Sequence, residues 1–96
     1  MLTGKQKRYL RAQAHHLKPI FQVGKIGVND NMLVQIGEAL EKRELIKVSL
    51  LQNCLDEKED VAAAIEEGTG ASIVQIIGST IILYKESEDN KQIKLP

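Results

Sequence analysis

Apolar residues recur along this chain in two rhythms, a helical spacing of three or four and a strand spacing of two. The switches between them predict seven elements. The first helix opens at Thr3-Gly4-Lys5-Gln6, where Thr3 as N-cap and Gln6 three positions on form a capping box. It is expected to run to about His16 or Leu17, because Pro19 pushes the residue before it out of the helical region. At about 100° per residue, Leu10, Ala14 and Leu17 share one narrow face and Lys5, Lys7, Arg8, Arg11 and His15 fill the other side. Ile20 to Val23 is a short strand candidate. Asn29 then caps a second helix from about Asp30 to Arg43, with Leu33, Ile36, Gly37 and Leu40 as its core stripe.

Leu45 to Leu51 reads as a strand, since Ile46, Val48 and Leu50 alternate with Lys47 and Ser49. Asp56 is the expected cap of a third helix, Val61, Ala64 and Ile65 its buried stripe, and Gly68 its terminator. Two β-branched runs, Ile73–Ile77 and Thr80–Tyr84, flank Gly78-Ser79, which suits a type II′ hairpin turn. Their near-continuous apolarity predicts strands covered on both faces. Beyond Lys85 the chain turns polar, and 86–96 reads as a mobile tail tacked down by Ile93 and Leu95. The order α-β-α-β-α-β-β predicts one α/β domain over 1–96, a sandwich with a four-stranded mixed sheet.

Composition changes this picture little, and charge changes it more. Ninety-six residues with 43% apolar and 27% charged side chains suit one modest globular core. No apolar run reaches membrane-spanning length, the N-terminus lacks a signal-peptide pattern, and the one cysteine, Cys54, fits a reducing compartment, so the chain reads as cytoplasmic. The formal net charge is zero, yet residues 1–28 carry Lys5, Lys7, Arg8, Arg11, Lys18 and Lys25 with no acid. The remaining 68 residues hold seven bases and thirteen acids. A polyanion-facing N-terminal region on an acidic body follows, against the blander reading of a solvated basic helix.

Gly24-Lys25-Ile26-Gly27 is the sharpest candidate for binding chemistry. Alone, a G-x-x-G is a weak signal, and a tight turn that merely needs small residues explains it as well. Its placement between a strand and a capped helix adds weight, because free backbone N–H groups gather at a helix start and Lys25 can meet a phosphate. KH modules hold nucleic-acid backbone with a loop of this type. With Lys5, Lys7, Arg8, Arg11 and Lys18, the loop predicts contacts to RNA phosphates rather than base reading. Tyr9, Phe21 and Tyr84 are too few for an aromatic stacking platform. His15 and His16 diverge on a helix and read as basic rim rather than metal ligands. Cys54 has no base partner in the sequence, and no P-loop, dinucleotide fingerprint or triad set appears, which argues against an enzyme, a cofactor or a small-molecule substrate.

These pieces together resemble the CRM domain, most closely its stand-alone bacterial form, the YhbY family. The likeness rests on Leu2-Thr3-Gly4-Lys5-Gln6-Lys7-Arg8-Tyr9-Leu10-Arg11-Ala12, on Gly24–Val28 and on Glu44-Leu45-Ile46-Lys47-Val48. It continues through Gln75-Ile76-Ile77-Gly78, Ile82-Leu83-Tyr84-Lys85 and Ile93-Lys94-Leu95-Pro96. The resemblance implies a fold similar to the C-terminal domain of translation initiation factor 3. It also implies RNA binding associated with precursors of the large ribosomal subunit, with Gly24, Lys25 and Gly27 in the contacting loop. Asn29 stands where the family commonly has Thr or Ser, and caps a helix equally well. The expected partner is RNA, bound by a monomer. The competing reading is a module that docks on ribosomal proteins or assembly factors through the acidic helix after Asp56.

Overall fold

Side-chain parity along the strands decides the architecture. The computed structural model describes residues 2–96. It contains α1 (Gly4–Ala14), β1 (Phe21–Val23), α2 (Asp30–Arg43), β2 (Leu45–Leu50), α3 (Lys58–Thr69), β3 (Ser72–Ile77) and β4 (Thr80–Tyr84). The sheet order is β1-β2-β4-β3, with β1 parallel to β2 and the other pairs antiparallel, so the expected mixed four-stranded sheet is present. Ile46, Val48, Ile81 and Leu83 point to one face and join Ile36 and Leu40 of α2 and Val61, Ala62 and Ile65 of α3 in the main core. Leu45, Val74, Ile82 and Tyr84 point to the other face, where Leu10 and Ala14 of α1 cover them. Each large apolar side chain so buried contributes about 1.5–3 kcal/mol. The α1 seam is narrow, so the basic helix is held chiefly by Leu10, Ala14 and a half-buried Leu2.

Several expectations shift by a residue or two, for physical reasons. The Thr3 capping box forms as expected, but α1 stops at Ala14, and the Leu17 N–H donates to the Ala14 carbonyl at 2.9 Å in a closing turn. Glu57 rather than Asp56 is the N-cap of α3, without a side-chain hydrogen bond. The helix ends at Gly70, which has φ +78°, instead of Gly68. Gly68 serves a different purpose: a Cβ there would lie 2.6 Å from Leu33 Cδ1, so its smallness lets α3 approach α2. Ala62 replaces Ala64 in the buried stripe. At the β3–β4 turn positive φ is confined to Gly78, as a type II′ turn requires. Of these two strands β4 is buried on both faces, whereas β3 is an edge strand and leaves Ile77 half exposed.

The largest departure is the polar tail. Its backbone is held by two glutamates at the end of α2. Glu41 accepts from the Ser87 hydroxyl at 2.6 Å, from the Glu88 and Asp89 N–H groups at 2.9 and 3.0 Å, and from the Asn90 amide. Glu44, fully buried, accepts from the N–H groups of Ser87, Gln92 and Ile93 at 2.8, 2.6 and 2.8 Å. The Gln92 side chain reaches the Lys42 carbonyl, and Gln6 of α1 donates to the Pro96 carbonyl at 3.3 Å. Residues 86–96 are therefore a strap across the end of α2, not a loose tail.

That arrangement makes the strap sensitive to acid. The Ser87 hydroxyl foremost, then the Glu88 and Asp89 amides, pull the Glu41 pKa from its ordinary 4.5 down to about 2. For Glu44, burial pushes upward, and the amides of Ser87, Gln92 and Ile93 with the Lys91 charge outweigh it, for a net lowering. A depressed folded-state value stabilises above the ordinary range and ceases to do so as pH falls through the folded value. Between pH 4.5 and about 2 the Glu88 and Asp89 amide resonances are expected to collapse to unstructured positions ahead of those of β4, followed by NMR titration. Strap and β4 amides moving together across that window would contradict the anchoring role of Glu41.

Candidate nucleic-acid interface

The basic residues of α1 are not spread evenly around it. Measured from the buried Leu10, Lys7, Arg11 and His15 fall on one flank, while Gln6 and Gln13 fall on the other. The glutamine flank faces the strap, since Gln6 bonds Pro96 and Gln13 lines a recess with Gln92 and Ile93. The basic flank overhangs the sheet toward β3. Arg11, His15 and His16 there wall an open groove of about 540 Å³ whose other side is Lys47, Gln75, Ile77 and Ile82. Lys5 and Arg8 are exposed, and the Arg8 guanidinium folds back within 3.9 Å of where a Gly4 Cβ would stand. Lys7 and Arg11 are half-buried on the same flank.

Gly24–Gly27 closes as a tight turn, with the Gly27 N–H donating to the Gly24 carbonyl at 3.0 Å. Lys25 and Ile26 occupy its exposed tip, Ile26 at 80% exposure. Positive φ falls on Gly27, at +70°, and a Cβ there would come within 2.6 Å of Asp56 Oδ2. Gly27 therefore has both a conformational and a steric reason to be glycine. Gly24 has neither, since a Cβ would make only ordinary contacts with Asn53 and Leu51. Thus the Asp56 carboxylate, expected as a helix cap, instead lies beside the turn.

The start of α2 is less open to an anion than the sequence implies. Asn29 caps the helix as expected, its side chain accepting from the Met32 N–H at 2.8 Å, and Asp30 adds a negative charge in the first turn. With Asp56 also close, the attraction of this loop for phosphate rests on Lys25 and the turn's own backbone rather than on the helix end.

The sheet register shows how far apart the predicted residues stand. The turn follows the end of β1, at the sheet end where Leu50 of β2 meets Ser79 of the hairpin turn. α1 instead covers the end where Leu45 pairs with Tyr84. Lys18 lies three residues before β1, lining a recess with Arg43, and the whole of β1 separates it from the turn. The structure thus groups Lys7, Arg11 and the histidines on one wall and Lys25 at the far end. Between them runs the sheet face of Gln22, Lys47, Ser49, Gln75 and Thr80. Lys47 and Gln75 were not singled out by sequence reasoning. Strand alternation places Lys47 on the Leu45 face, whereas Gln75 gets there through a bulge between Ile73 and Gln75 that turns it and Val74 to the same side.

Among the described residues no group of three His, Cys, Asp or Glu could hold a metal ion. The His15 and His16 rings meet edge to face, centroids 5.3 Å apart. Cys54 is half-buried, its thiol directed at the Asp56 carbonyl at 3.7 Å. No helix among the described residues is long and apolar enough to cross a membrane.

Comparison with known proteins identifies relatives of the whole chain. Residues 2–85 match the CRS1/YhbY (CRM) domain family. The Bacillus subtilis "Probable RNA-binding protein YqeI" is 70% identical over the full length of both chains. A Haemophilus influenzae "RNA-binding protein" is 40% identical, across 99% of this chain and 95% of its own. A Staphylococcus aureus protein, described with its solution structure as a hypothetical, candidate RNA-binding protein, superposes with a TM-score of 0.82 at 57% identity, covering all of both chains.

Proposed function

This chain belongs to the CRS1/YhbY (CRM) domain family, and we propose that it is a non-catalytic RNA-binding protein of the cytoplasm. It binds ribosomal RNA in precursors of the large ribosomal subunit and assists their assembly, acting as a monomer. The observation that carries this reading is the basic flank of α1, which overhangs an open sheet face. Lys5, Lys7, Arg8 and Arg11 follow the phosphate backbone along the helix, and the Lys25 turn clamps it at the far end of the sheet. Gly24 and Ile26 shape that turn, Gly27 gives it its left-handed corner, and Lys18 adds charge at the near edge. Such contacts supply affinity and salt dependence and leave base reading to other groups.

Exposed Leu55 and Ile26 and the acids that open α3 favour one competing role, docking on a ribosomal protein. Co-sedimentation before and after nuclease treatment separates the two. The protein is expected to travel with large-subunit precursors and to be released when exposed RNA is digested. Retention on a protein partner after complete RNA removal would overturn the RNA reading.

A further inference from the structure

The groove beside α1 has more in it than charge. Lys47, Ile82 and Gln75 stand side by side in register across β2, β4 and β3, forming its floor. Ile77 extends that floor toward the turn and is 54% exposed, an apolar side chain left open on an edge strand. Arg11 and the His15–His16 pair make the wall. The groove therefore combines an exposed apolar side chain at Ile77, an amide that both donates and accepts, two imidazole rings, and two cations. At about 540 Å³ it falls in the range of small-ligand sites.

Phosphate alone would need only the cations. The amide and the apolar floor call for a ligand with a flat face and a hydrogen-bonding edge tied to a negative charge, which describes a nucleotide. A base within a duplex cannot offer that edge, because pairing occupies it and neighbours cover its faces. We infer that this groove takes one unpaired nucleotide of the bound RNA. Its base lies on the exposed Ile77 with an edge on the Gln75 amide, and its phosphate lies between Arg11 and Lys47. This rests on the RNA-binding reading and adds to it a preference for a bulge or flipped base beside a helix. The position suits the path of the strand, since the groove lies between the α1 flank and the Lys25 turn.

The test compares a fully paired RNA hairpin with the same hairpin carrying a single unpaired nucleotide, by fluorescence anisotropy. Wild-type protein is expected to favour the bulged RNA by about tenfold, the scale of one hydrogen bond plus a small buried apolar area. The double variant Gln75→Ala/Ile77→Ser, which adds no charge, is expected to lose that preference and keep its affinity for the paired hairpin. Binding of both RNAs by wild type with equal affinity overturns the nucleotide site and leaves the broader function standing. Equal loss toward both RNAs in the double variant does the same. Failure of wild type to bind either RNA overturns both. A wild-type measurement covers the case of a misfolded variant: the Gln75 side-chain amide and Ile77 methyl resonances shift with bulged RNA only. Unmoved resonances at saturation, or equal shifts with an acidic peptide, refute the site.

Discussion

Replacing Arg8, Arg11 and Lys25 together by glutamate weakens RNA binding by about a hundredfold or more at low salt and leaves the protein folded. Each reversal removes an attraction for phosphate and installs a repulsion, at both ends of the proposed strand path. Folding should survive because Arg8 and Lys25 are exposed, and α1 docks through Leu10 and Ala14, which the variant retains. Filter binding on the variant, paired with its thermal melt, checks both halves. A folded variant with wild-type affinity would remove the α1 flank and the turn from the interface. Reversing Lys18 alone should matter far less, because it sits beside Arg43 at the near end of β1.

Glu44→Ala should cost about 3 kcal/mol, which for a domain of this size lowers Tm by about 12–20 °C. Three buried or half-buried amides, those of Ser87, Gln92 and Ile93, lose one shared charged acceptor at once. No other described side chain accepts from them, and the Glu44 carbonyl also receives the Lys85 N–H at 2.9 Å. The residue also stands at φ +64°, alone among the described non-glycine residues in the left-handed region. Glu44→Gly separates the two effects: it relieves the backbone by about 1–2 kcal/mol while leaving the same three donors unpaired. Differential scanning calorimetry should rank wild type above Glu44→Gly and Glu44→Gly above Glu44→Ala. A Glu44→Ala melt within about 3 °C of wild type, under 1 kcal/mol, would show that the strap finds other partners.

What could be read in the amino-acid pattern was whatever depends on neighbours in the chain. The Thr3–Gln6 box, the Asn29 cap and the span Asp30–Arg43 are local hydrogen-bond chemistry, and all three appear as expected. Alternation at Ile46, Val48 and Leu50 gave β2 its faces because a strand has period two. Contacts over long separations were hidden. Glu41 and Glu44 look like surface acids at the end of a helix, and only the fold brings the strap's amides to them across more than forty residues. Gly68 read as a helix stop because closeness to Leu33 leaves no trace in local sequence. The candidate interface was legible in part for the same reason. Charge asymmetry pointed to α1, and the turn was placed between its strand and helix. The space between them, floored by Lys47 and Gln75, needed the strand order and the bulge.

The central claim is that phosphate contacts hold the RNA, and its most direct test is the salt dependence of wild-type affinity. With four to six contacts from the α1 flank and the Lys25 turn, the logarithm of the association constant should fall against the logarithm of salt concentration with a slope of about −3 to −5. A flat slope, with RNA held as tightly in high salt as in low, would contradict it.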